Sequence, residues 1–208
     1  MHPNPAFRGE EKDRNIAFAR QRGFGTLAIN TPDGAPLLSH VPFVLSDDGK
    51  LLEAHLVRSN PILRLTDEPV NAVMAVTGPD AYISPDWYGV DDQVPTWNYV
   101  AVHLRGKLQR LPDARLHDIL ERTSGHFESM LAPKSVWTTA KMDQEKYSRM
   151  LRQIVPVAMQ VETVDGTWKL SQNKPDSARL GAAEALATSQ AGTEIAAMRD
   201  LMLAARGE

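Results

Sequence analysis

The sequence predicts a mainly β fold, a closed antiparallel barrel with helices outside it, on three observations. Short runs of alternating apolar residues follow one another through tight Gly- and Asp-bearing turns. The helical patterns are pushed to the ends, so the strands do not read as units of a βαβ sheet. The run Thr96 to Leu108 alternates with the period of a strand and not of a helix.

In chain order, Glu10 to Gln21 places Ile16, Ala17 and Phe18 among charges, an amphipathic helix that leads into Gly23-Phe24-Gly25. Thr26 to Asn30, the turn Pro32-Asp33-Gly34, Pro36 to Leu45, the turn Asp47-Asp48-Gly49 and Lys50 to Val57 form a meander of three strands. At Ser59-Asn60-Pro61 the pattern changes: Ser59 or Asn60 can cap a helix, Pro61 suits its first position, and Ile62 and Leu65 share an apolar face. Asn71 to Thr77 reads as a strand broken at Gly78-Pro79, followed by a loop-rich segment from Ala81 to Gln93. Asp113 to Met130 has helical spacing through Leu116, Ile119 and Leu120, and Glu145 to Gln153 is a second short helix. Val155 to Thr163 is a strand, Asp165-Gly166 a turn, Trp168 to Leu170 a last short strand, and the Ala-rich segment from Asp176 onward one or two helices.

With 208 residues the chain is long enough for one sizeable core, and 42% hydrophobic with 24% charged residues is the balance of an ordered globular protein. Lys and Arg number 23 against 26 Asp and Glu, so a net charge of -3 supplies no global attraction for nucleic acid or anionic membranes. The absence of cysteine excludes disulfides, thiolate nucleophiles and cysteine metal sites, and suits a reducing cytoplasm. Met1 to Arg14 lacks the apolar core of a secretory signal, and no run approaches the roughly 18 apolar residues of a membrane span. A cytoplasmic location is the expectation.

Four stretches can carry chemistry. His55-Leu56-Val57-Arg58-Ser59-Asn60-Pro61 delivers an Arg from a strand to a capped helix start, where free amide donors, a guanidinium fork and an amide side chain can cradle a monophosphate. A capped surface helix with a solvated Arg is the commoner use of such a pattern. Ser39-His40-Val41-Pro42-Phe43 puts a proline within a strand, which argues for an edge or bulge whose backbone groups are open to a planar hydrogen-bonding ring; an ordinary bulge beside a partly exposed His40 is the bland alternative. Val94 to Tyr99 flanks Asn98 with Trp97 and Tyr99, a set that can cover an aromatic ligand, form a subunit contact or simply pack a core. Lys169 to Lys174 is a polar run after a strand, a ligand contact or a solvated turn.

Other classes find less support. His40, His55 and His103 lie on three expected strands, but no HExxH-like spacing accompanies them and no metal site is assigned. Neither Ser39 nor Ser84 sits in a Gly-x-Ser-x-Gly elbow, and GxGxxG and Walker patterns are absent. No residue stands out as catalytic; His40 is the first to test as an acid or base, because its ordinary pKa lies near neutrality.

The blocks SHVPF at Ser39, HLVRSNP at His55, PTWNYVAVH at Pro95 and KLSQNK at Lys169, in this order, resemble those of the PaiB-like proteins, described as FMN-binding negative transcriptional regulators. Tyr82 to Tyr88, YISPDWY, is similar to that family as well, and the likeness spans residues 1–175. The resemblance implies a six-stranded antiparallel Greek-key split barrel of the pyridoxamine-phosphate-oxidase type, a homodimer, and FMN in a cleft between subunits. It implies that Arg58 and Asn60 hold the phosphate, that Ser39, His40, Val41 and Pro42 lie along the ring edge, and that His55, Trp97, Asn98, Gln172, Asn173 and Lys174 complete the site. The block departs from the family pattern only in Val57-Arg58-Ser59, where Ala-Arg-Ala is expected. Residues 176–208 then form a helical extension packed on the same domain. The functions implied are a negative transcriptional regulator or an FMN-dependent oxidoreductase of unassigned small-molecule substrate. A haem-binding or haem-degrading split barrel and a direct DNA-binding regulator are the rivals. Direct DNA binding has little support, since no helix-turn-helix is recognisable.

Overall fold

The structure is a computed structural model of the chain and describes residues 1–31 and 34–205. Helix α1 (Lys12–Arg22) leads into strands β1 (Phe24–Ile29), β2 (Leu37–Leu45) and β3 (Leu51–Val57), the expected meander. Its second turn closes through Gly49, whose φ of +69° and position against Ile16 leave no room for a side chain. The first turn, expected at Pro32-Asp33-Gly34, falls at Pro32 and Asp33 outside the described residues.

Strand β4 (Val70–Ile83) runs straight through Gly78-Pro79, where a break is expected from sequence. Its partner β1 pairs over Ala72 to Ala75, and the two-residue strand β7 (Gly192–Thr193) pairs with Asp80 and Ala81. Gly78 and Pro79 fall in the interval between those two ladders. Strand β5 (Thr96–Arg110) is followed by α2 (Leu116–Ser129) and α3 (Gln144–Leu151). Strand β6 (Ile154–Lys169) is one continuous element, not two strands around a turn at Asp165-Gly166. Gly166 is there for close approach: a Cβ on it would lie 2.0 Å from Asn15 Oδ1, the atom that accepts the Trp168 indole hydrogen bond at 2.8 Å. Helices α4 (Asp176–Ala185) and α5 (Ile195–Ala204) complete the order.

The sheet order is β1-β2-β3-β6-β5-β4-β7, with β1 also paired to β4, so six strands close on themselves and β7 is a seventh, appended strand. Two antiparallel meanders are joined crosswise, β3 to β6 and β1 to β4, which removes long open edges. By internal contacts the chain divides into two compact units, residues 16–76 with 104–164, and residues 1–15, 77–103 and 165 onward.

The first unit buries Leu27, Ile29, Phe43, Leu52, Leu56 and Met159; along β1 and β2 alternate residues are buried, the period-2 signature read in the sequence, whereas β3 buries Glu53 as well. Each such side chain contributes about 1.5–3 kcal/mol by leaving water. Helix α2 packs on β2 and β3, and the buried carboxylate of Glu53 is met by Arg115 at 3.2 Å and Arg122 at 2.7 Å. In the second unit α4 packs on α5 and on the 3-10 turn Pro85–Tyr88. Gly192 lies so close to Asp80 that a Cβ would meet the Asp80 carbonyl oxygen at 2.3 Å, which is how β7 docks on β4.

Candidate functional site

Strand β2 pairs with β1 over Leu37 to Pro42 but with β3 only over Phe43 to Leu45. Beyond Phe43 the two strands part, leaving Ser39 to Pro42 without a ladder on that side. Pro42 is the first residue past the ladder, where a strand tolerates it. The end of β3 and the following 3-10 turn Pro61–Leu65 face this opening through Asn60. Its Oδ1 accepts from Ile62 N–H at 3.0 Å and its Nδ2 donates to Ser39 Oγ at 3.0 Å.

The expected helix is therefore a five-residue 3-10 turn, and its start offers no free amide set: Pro61 has none, Ile62 N–H goes to Asn60 Oδ1, and Leu63 N–H goes to the Asn60 carbonyl. Anion binding here falls to side chains. The Arg58 backbone N–H bonds Gln153 O at 2.7 Å, Nε bonds Arg152 O at 2.7 Å, and Nη2 reaches Ile154 O at 3.1 Å and Asp113 Oδ2 at 3.3 Å. Those ties hold the guanidinium in place on an exposed surface, and Nη1 has no partner among the described residues. Nη1, the second Asn60 amide hydrogen and the Ser39 hydroxyl hydrogen are donors suited to phosphate oxygens. Asp113 beside Arg58 offsets part of its charge.

Along the opening, Val41 is buried in the core, Pro42 is half-buried, and His40 is exposed on the other face of β2 with Nδ1 3.0 Å from Thr26 Oγ1. His55, on β3, is half-buried and makes no hydrogen bond to a described residue; burial pushes its imidazole below the ordinary value.

The remaining expected residues belong to the other unit. Asn98 is wholly buried, and its Nδ2 donates to Ser171 Oγ at 2.9 Å and contacts Met202 Sδ at 3.3 Å. Ser171 also meets Tyr88 OH at 3.0 Å and adopts a left-handed φ of +60°, a conformation costly for serine and held by these bonds. Gln172 is spent on the same turn, bonding Leu170 N–H, Ala6 O and Trp168 O. Trp97 and Asn173 are exposed, with Trp97 edge-on to Tyr82. Lys174 reaches Gln93, and Lys169, which reaches Thr96, is held below the usual lysine range by burial and by the Lys174 charge. Tyr88, Ser171, Asp113 and the Arg152 and Ile154 carbonyls were not singled out from sequence. Tyr88 and Ser171 stood inside the quoted blocks, but the carbonyl ties carry no sequence signal. Among the described residues no group of His, Asp or Glu could hold a metal ion.

A six-strand closed ladder with peripheral helices, split where β2 leaves β3, defines a protein of the flavin-binding split-barrel class. The chain belongs to the family described as "Putative FMN-binding domain", whose model matches residues 1–163, and FMN is its cofactor. It is 31% identical over 171 residues, 81% of each chain, to the Protease synthase and sporulation protein PAI 2 of Bacillus subtilis (strain 168). The PaiB-like resemblance of the sequence blocks is thus a family relationship. Among solved structures, the FAD and heme binding protein from Mycobacterium smegmatis is similar with a TM-score of 0.57 at 19% identity, covering 89% of this chain and 82% of that one. The flavocytochrome Anf3 from Azotobacter vinelandii has a TM-score of 0.54 at 9% identity, covering 81% and 72%. At these identities the likeness is one of fold.

Proposed function

We propose that Arg58, Asn60 and Ser39 hold the FMN phosphate where β2 parts from β3, that Ser39 to Pro42 run beside the ring, and that the holoprotein is an oxidoreductase acting on a small molecule. The observation that carries this reading is that Asn60 reaches from the end of β3 to the Ser39 hydroxyl on the unpaired edge of β2, two residues after an Arg58 guanidinium held by the Arg152 and Ile154 carbonyls. FMN, when bound, supplies hydride and single-electron transfer at its ring. The chain supplies anchoring, hydrogen bonds and exclusion of water, and His40, exposed on β2, is the first side chain to test as a proton carrier. Trp97, Asn173 and Lys174 are kept as candidate flavin contacts because they are accessible, while Asn98 and Gln172 hold the turn that carries Asn173 and Lys174.

The proposal includes a homodimer formed through the outer face of the β1–β2 hairpin, where Phe24 and Leu38 are 53% and 61% exposed. A cytoplasmic location fits a chain without cysteine. The test is to release the cofactor from freshly purified protein, identify it by mass and absorbance, and measure the mass of the assembly in solution. A Soret band in place of flavin bands, or a monomer, contradicts the corresponding part.

Control of transcription is the second reading, favoured by the name of the Bacillus subtilis relative, which ties that protein to protease synthesis and sporulation. A salt-sensitive shift of a promoter fragment supports it; no shift at low salt counts against it.

A further inference from the structure

The segment between β5 and β6 folds α2 and α3 over His55 and the start of β6 and forms a half-open cavity of about 310 Å³. Its wall is mainly apolar: Leu120 from α2, Trp137 and Met142 from the connecting loop, Tyr147 and Met150 from α3, and Ile154 from β6. No Asp, Glu, Lys or Arg lines it, so a charged group placed there would lose its hydration without gaining a counter-ion. Two polar groups on the wall are committed elsewhere. Thr139 Oγ1 bonds Glu121 at 2.5 Å and the Tyr147 hydroxyl meets His117 Nδ1 at 2.9 Å.

His55 lines the cavity and no hydrogen bond ties its ring to a described residue; Nδ1 is buried out of reach, and Nε2 is the ring nitrogen left open. A polar group at a cavity wall without a protein partner calls for one from a ligand or from water. A neutral imidazole offers one donor and one acceptor nitrogen. Cavities of about 150 Å³ already hold a single benzene ring, so this one has room for a larger ring system, and two thioethers in the wall can adjust to its outline.

We propose that this cavity binds a neutral aromatic molecule of two or three fused rings bearing one hydrogen-bonding group that pairs with His55. No cation contributes to its wall, but Gln153 and Ile154, whose carbonyls Arg58 bonds, belong to it, so the cavity lies beside the proposed phosphate anchor.

The test uses FMN-loaded protein and 2-naphthol as probe, with naphthalene-2-sulfonate as its charged counterpart. Calorimetry is expected to show saturable 2-naphthol binding, with the sulfonate weaker on the order of tenfold or more. In protein labelled at the methionine methyls, 2-naphthol should shift Met142 and Met150, and it should quench fluorescence that Trp137→Phe removes. Ser124→Phe, which fills the cavity, should weaken binding on the order of tenfold. Should that variant fail to fold, the methionine shifts decide on wild-type protein. Equal affinity for the sulfonate, shifts confined to other methionines, or release of FMN by 2-naphthol would each overturn the proposal, the last by making the cavity part of the flavin site.

Discussion

Asn60 Nδ2 donates to Ser39 Oγ at 3.0 Å while its side-chain Oδ1 accepts from Ile62 N–H at 3.0 Å, so one side chain closes the turn after β3 and reaches across to β2. The two strands have already parted at Phe43, and this amide bridges the opening at its mouth. Its orientation is fixed by the cap, since only Oδ1 can accept from Ile62. That leaves one Nδ2 hydrogen facing away from both contacts.

This arrangement separates capping from ligand binding by mutation. Asn60→Ala should cost about 1 kcal/mol of stability through the lost cap and also weaken FMN. Asn60→Asp keeps the acceptor for Ile62 and places a negative charge beside the phosphate. Its thermal midpoint should stay near wild type while FMN affinity falls by more than tenfold, on the order of 1.5 kcal/mol or more. Flavin fluorescence titration checks both, and wild-type affinity in Asn60→Asp would exclude the residue from the anchor.

Arg58→Ala should weaken FMN by about 1.5–3 kcal/mol, the range for a lost charge-assisted hydrogen bond. Arg58→Lys keeps the charge but cannot reproduce the ties from Nε and Nη2 to Arg152 and Ile154, so its affinity should fall between the two. Equal affinities for all three proteins would place the phosphate elsewhere.

Gly106→Ala should destabilise the barrel by more than about 2 kcal/mol. A Cβ on Gly106 would lie 1.8 Å from the Gln160 carbonyl oxygen, and both are backbone positions of paired strands with little freedom to yield. Urea denaturation followed by circular dichroism gives the answer, and a wild-type midpoint would refute the close approach.

His55 gives a pH dependence with a defined sign. Burial lowers its folded-state value below the ordinary 6.5, so the unfolded chain takes up the proton first as pH falls. The stability contributed by the neutral ring is fully present above 6.5 and is lost as pH drops from there toward the folded value. Between about pH 7.5 and pH 5.5 the urea midpoint should fall more steeply in wild type than in His55→Leu. Parallel slopes would remove His55 as the source.

The local order of this fold was legible because it rests on local periodicity. Alternation in β1, β2, β3 and β5 and helical spacing in α2 and α3 are properties of neighbouring residues, and the structure places those elements within a few positions of the expectation. The family blocks pointed to FMN for the same reason, since they are runs of adjacent residues. Gly166 reads as a turn signal until Asn15, far away in sequence, is seen to need its missing side chain. Pro79 reads as a break until β4 is seen to run on through it, with β1 paired before that stretch and β7 after it.

Arg58 shows the same division at the site. Its presence at the end of a strand was a matter of sequence, but its ties to the Arg152 and Ile154 carbonyls join the residue after β3 to the turn that leads from α3 into β6, which the pairing of β3 with β6 brings together. Sequence determined which residues alternate, cap and turn, because those preferences are set by each residue's own backbone and its nearest neighbours. Tertiary structure decided which donors were spent and which remained open, because a hydrogen bond is settled by what lies within about 3 Å in space, whatever the distance along the chain.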